Sequence, residues 1–123
     1  MKPLRYTLRC ALAGALLGGI AVPAFAHEPV LKCVLLDADT VRCRGGYAEG
    51  EAAPGGTIEV IAYSGQTVFS GKLDKGSILT FQRPATGYYV LFNEGPGSQA
   101  IVEHDEIGPP RANDRARWMR SRR

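Results

Sequence analysis

Histidine, cysteine, methionine and tryptophan are all scarce in this chain: two, three, two and one among 123 residues. The two histidines, His27 and His104, stand far apart in sequence. No His-Glu-x-x-His pair, no Gly-x-Ser-x-Gly elbow and no phosphate-cradling glycine loop accompanies them. The chain therefore reads as non-catalytic. It also has no Cys-x-x-Cys pair, which removes the common zinc and thiol-redox patterns. Nothing after residue 26 is apolar enough to span a bilayer, and no long stretch repeats with the 3.6-residue period of a helix. The 15 glycines and 8 prolines follow no fixed period, which excludes collagen-like and solenoid repeats.

What is present is an ordinary globular balance, 45% hydrophobic and 22% charged, in a length that allows one domain. The formal charge of +3 is unevenly spread. Lys2, Arg5 and Arg9 open the chain, and residues 111–123 hold six arginines against one acid, Asp114. Between His27 and Pro110 there are six basic and eleven acidic residues, a net −5. A basic nucleic-acid binder is thereby excluded.

Residues 1–26 carry each part of a secretory signal peptide: a basic start, the apolar run Cys10–Val22, a break at Pro23, and small residues at Ala24-Phe25-Ala26. The thirteen residues of that run are too few for a bilayer, which needs about 20. The expected mature protein begins at His27 and works in the periplasm. Cys10 leaves with the leader, and the remaining pair, Cys33 and Cys43, sits where an oxidising compartment favours a disulfide. Spacing supports the bond. Two β-like runs, Val30–Leu36 and Thr40–Arg44, flank a three-residue loop Asp37-Ala38-Asp39. Such a loop places residues whose numbers total 76 opposite one another, Cys33 against Cys43. The expected separation is about 4.5–5.5 Å between Cα atoms, within disulfide reach.

Further short runs follow, rich in β-branched and aromatic residues and separated by Gly, Pro, Asn and Asp turns: 57–63, 67–70, 77–82, 88–92 and 99–103. About seven strands over some 80 residues predict an all-β fold, a small antiparallel β-sandwich over 27–108, with a basic tail over 109–123. Phe81 and Val90 are expected core residues. Tyr88, Tyr89 and Phe92 alternate in a strand, so the set divides between core and surface.

The segment Gly71–Phe92, GKLDKGSILTFQRPATGYYVLF, resembles the carboxypeptidase regulatory-like, transthyretin-like sandwich modules. The shared pattern is a Gly-x-x-x-Asp turn, an aromatic strand, Pro-x-x-Gly and Tyr-x-Val. More narrowly, the Cys33/Cys43 hairpin, the segment Gly45–Gly50 and the turn Asn93–Gly97 are similar to small exported proteins found with bacterial nickel and cobalt uptake systems. The resemblance implies an Ig-like sandwich, a transition-metal cargo and membrane metal-transport components as partners. Ser98 follows Gly-Pro-Gly here, where those relatives often place a histidine.

The residues themselves offer one metal clamp. A mature N-terminus at His27 would pair a free amine with the imidazole Nδ1, nitrogen ligands that suit Cu²⁺, Ni²⁺ and Zn²⁺, and the resemblance points among metals to Ni²⁺ or Co²⁺. Pro29 lacks an N–H and so excludes the site that deprotonates the second and third backbone amides. His104, flanked by Glu103, Asp105 and Glu106, would be the second ligand if it lies beside the N-terminus. The plainer reading makes His27 a frayed end and the acids a solvated face. Asp37 and Asp39 read as turn residues rather than calcium ligands. The arginine-rich tail reads as disordered, or as an anchor to anionic lipid or an acidic partner through Trp118 and Met119. Two functions follow: a periplasmic accessory protein that binds or delivers nickel or cobalt, and an interaction module of a cell-envelope assembly.

Overall fold

The structure is a computed structural model that describes residues 28–112. Residues 1–26, expected as a leader, His27 and the residues beyond 112 lie outside the described residues. Seven strands follow in order: β1 (Pro29–Asp37), β2 (Thr40–Tyr47), β3 (Thr57–Ala62), β4 (Thr67–Lys72), β5 (Ile78–Gln82), β6 (Tyr88–Asn93) and β7 (Gln99–Glu103), closed by a 3-10 turn at His104–Glu106. They form two antiparallel sheets, β1-β2-β5 and β4-β3-β6-β7. Among the described residues no helix is long and apolar enough to cross a membrane.

Alternation explains the two layers. Every second residue of β3 and of β6 is buried, so Ile58, Val60 and Ala62 face inward with Tyr88, Val90 and Phe92. Val41, Cys43 and Phe81 close the core from the three-stranded sheet. Burial of each large apolar side chain contributes about 1.5–3 kcal/mol, which lets so small a core hold. Phe81 and Val90 are buried as the sequence predicts, at 4% and 0% exposure. Phe81 stacks on Phe69 of β4 with ring centres 5.6 Å apart, tying the two sheets together at that side.

The β1–β2 hairpin pairs Cys33 with Cys43, and the two are joined in a disulfide with Cα atoms 4.0 Å apart. The turn departs from the expected three-residue loop. Asp37 pairs with Thr40, leaving only Ala38 and Asp39 between the strands, and the register shifts between Leu35 and Asp37. Leu36 thus becomes the extra residue of a bulge, which adds local twist and lets the turn tighten. The Asp37 carboxylate caps the turn by accepting the Asp39 N–H at 2.8 Å. That bond, with help from the Thr40 hydroxyl, holds the Asp37 carboxyl below the usual range. The turn reading of Asp37 and Asp39 is thereby supported by their geometry.

A second difference lies before β5. The run expected from Ser77 starts at Ile78, because Ser77 has φ of 63° and cannot extend the ladder. Ser77 is fully buried, and its hydroxyl accepts the Ala53 N–H at 2.8 Å.

The sandwich has two ends. The loops 38–39, 63–66 and 83–87 and the 3-10 turn gather at one; the loops 48–56, 73–77 and 94–98 gather at the other. At the edge where β1 lies beside β7, Leu35 N–H bonds the Gly108 carbonyl at 2.8 Å and Ile107 packs into the core.

Candidate functional site

Tyr63 is the residue around which the first end is built. β3 stops at Ala62 and turns sharply at Gly65, whose φ of 99° suits glycine; the Gly65 N–H closes the turn on the Ala62 carbonyl at 2.7 Å. Tyr63 is left projecting past the sheet, with its N–H on the Gly87 carbonyl at 3.2 Å. Its ring stacks on Tyr89 of β6 at 6.1 Å and meets the His104 ring edge-on at 5.5 Å. Tyr88 packs beneath His104 at 5.6 Å.

The polar tip is fixed as well. The Tyr63 hydroxyl donates to Glu103 Oε1 at the end of β7, and it lies 3.3 Å from His104 Nδ1. A phenol has one O–H to donate, and it is directed at Glu103. The His104 contact therefore requires Nδ1–H as donor. Glu103 is braced in turn, since its N–H bonds Glu106 Oε1 at 2.9 Å in a reciprocal cap of the 3-10 turn.

The Glu103 hydrogen bond, then desolvation and the charges of Glu103, Asp105 and Glu106, push the Tyr63 phenol up to about 12. Burial pushes Tyr88 up, with the Arg83 charge opposing. At neutral pH Tyr63 is fully protonated, so it is a hydrogen-bond donor and a flat apolar face rather than a nucleophile or base. Tyr63 is nonetheless 56% exposed. An exposed aromatic locked by three neighbours, beside three carboxylates, is suited to recognising a cationic group.

The second end brings together two segments singled out in the sequence. Tyr47, following Gly45-Gly46, donates its hydroxyl to Glu94 Oε1 at 2.9 Å in the Asn93–Gly97 turn, and that bond raises the Tyr47 phenol. Glu28 is anchored there too, its carbonyl accepting the Ala48 N–H at 2.9 Å.

His104 thus stands at one end, whereas Glu28, the neighbour of His27, is tied to the other. The nine residues of β1 run between them at about 3.3 Å each. His27 itself lies outside the described residues. Among the described residues no group of three or more His, Cys, Asp or Glu side chains stands in a metal-holding arrangement.

Reasoning from sequence singled out His104 and Tyr89 but not Tyr63. Its position at the end of a strand run was visible; its partners, Gly87 and residues 103–104, come from distant segments and had no local signal. No protein-family model matches this sequence, and no curated protein matches it either.

Proposed function

We propose that this chain is a non-catalytic accessory binding protein of the cell envelope, and that the surface around Tyr63 is where it recognises a partner. One observation carries the reading: a tyrosine more than half exposed is held in a single orientation by Glu103, His104 and Tyr89. Most exposed side chains lose entropy on binding, and a ring already fixed avoids that loss. Tyrosines in such settings commonly dominate interface energy. Glu103, Asp105 and Glu106 give the surface a negative field, so the partner presents lysine or arginine there. A periplasmic location is supported by the leader sequence and by the Cys33–Cys43 bond.

The test is retention of a partner by tagged protein purified from its own host, compared with Tyr63→Ala. A partner held by the native chain and lost by a variant with an unchanged melt supports the reading. An identical set of partners on both would overturn it.

Nickel or cobalt delivery is the narrower reading, drawn from the resemblance. With Glu28 and His104 at opposite ends, it would rest on the His27 amine and imidazole without His104. Calorimetry with Ni²⁺ and Co²⁺ on the mature chain, with and without one added N-terminal residue, decides it. The extension blocks the chelating amine, so sharp loss of binding supports the clamp and equal binding rejects it.

A further inference from the structure

The body of the chain is acidic, yet two of its cations line one cleft without a carboxylate partner. This cleft, about 460 Å³, runs along the free edge of β5 and is walled by Arg42, Lys72, Asp74, Gly76, Ile78 and Thr80, among others. Arg42 donates Nε–H to Thr80 Oγ1 at 3.1 Å, and Lys72 reaches Thr57 Oγ1 at 3.4 Å. Neither makes an ion pair with a described residue. The Thr80 bond uses only the Nε–H of Arg42 and so leaves both terminal nitrogens of the guanidinium for another acceptor.

The backbone adds a donor. Cys43 and Cys33 face each other in a pair that does not exchange ladder bonds, as the Leu35 N–H turned outward to Gly108 requires. The Cys43 amide therefore points to Leu79, and the alternate residue Thr80 turns its N–H away from β2, towards the open edge. Asp74 is the one acid in the wall. Its Oδ1 is engaged by the N–H groups of Gly76 and Ile78 at 2.8 and 3.0 Å, so it shapes the turn, and its charge opposes an anion in the cleft without an ion pair to either cation. Arg44, exposed and paired in register with Ile78, adds to the positive field.

We infer that this cleft is an oxyanion site, in which the Arg42 guanidinium, the Lys72 ammonium and the Thr80 N–H hold a carboxylate or phosphate group. It uses a surface separate from Tyr63 and stands or falls independently of the reading above. The anion comes either from an Asp or Glu side chain of a partner or from a phosphorylated small molecule.

Amide chemical shifts of the full mature chain, titrated with inorganic phosphate and separately with the peptide N-acetyl-Asp-Thr-Asp-amide at constant ionic strength set by chloride, test this. Saturable shifts at Thr80 and Gly76 are expected with one or both. Response to phosphate alone identifies a phosphorylated ligand, and response to the peptide alone identifies a partner's acidic side chain. The double variant Arg42→Gln/Lys72→Gln should weaken binding at least about tenfold. Asp74→Asn keeps the turn-capping oxygen while removing the opposing charge, so it should tighten binding. Shifts no larger than those from chloride, or binding unaltered by both variants, would overturn the assignment.

Discussion

Gly87 lies against the ring of Tyr63: a Cβ at position 87 would stand 2.8 Å from Tyr63 Cδ2 and 3.0 Å from Cε2. This is the Gly of the Pro-x-x-Gly motif, and its bare backbone is what lets Tyr63 settle next to β6. The obstructed atoms belong to an exposed side chain that can swing outward. Gly87→Ala should therefore cost less than about 1 kcal/mol in stability while freeing the Tyr63 ring. Thermal melts and the phenol titration below would report both effects. A loss of several kcal/mol with the phenol unchanged would mean that the ring stays and the strand yields.

The Tyr63–Glu103 bond has a direct optical signature. With its phenol near 12, Tyr63 stays protonated while ordinary tyrosines ionise near 10. Glu103→Gln replaces the carboxylate that favours the protonated form, so one more phenolate should appear between about pH 10 and 11 by ultraviolet absorbance. Because the folded-state value is raised, this group's contribution to stability is complete below about pH 10 and is lost as pH climbs towards 12. An unchanged titration curve in Glu103→Gln would show that the bond does not control the phenol.

The strands were legible because each is a short run bounded by turn residues, with a clean inward alternation in β3 and β6, and the disulfide was legible because hairpin register follows from counting residues. Where local geometry broke the count, the reading slipped: Leu36 bulges and shortens the loop, and Ser77 takes a left-handed φ that no propensity signals. The candidate site was harder still. Tyr63 gains its meaning from Gly87, Tyr89, Glu103 and His104, which the β3–β6–β7 pairing brings together from three segments. The distance between Glu28 and His104 has the same origin, since the direction in which β1 runs past β7 cannot be read from either strand.

Ser77 offers a test of the buried polar framework. Its hydroxyl is the acceptor for the Ala53 N–H, and its own carbonyl accepts the Gly45 N–H at 3.1 Å, so it holds the 48–56 loop to the start of β5. Ser77→Ala leaves the Ala53 donor without its partner in a buried setting, which should cost about 1–3 kcal/mol in urea melts. Ser77→Gly loses the same bond but relieves the positive φ, so it should be the less damaging of the two. If Ser77→Gly proved the worse, backbone freedom would outweigh strain at this position.

The disulfide sets the last prediction. Cys33 and Cys43 are ten residues apart, so the bond closes a short loop, and the chain-entropy effect is about 2–3 kcal/mol. Both cysteines are buried, at 6% and 0% exposure, in the layer that packs against β3 and β6. Cys33→Ala/Cys43→Ala removes the closure and also the volume of two sulfur atoms from the core. It should therefore destabilise more than reduction alone, which leaves the sulfurs in place. Urea melts of oxidised, reduced and double-alanine proteins would rank in that order. Intact mass under native conditions should show the oxidised form two hydrogens lighter than the reduced one, with no thiol open to alkylation. Two reactive thiols in protein isolated from its own compartment would remove both the bond and the argument from it for an oxidising location.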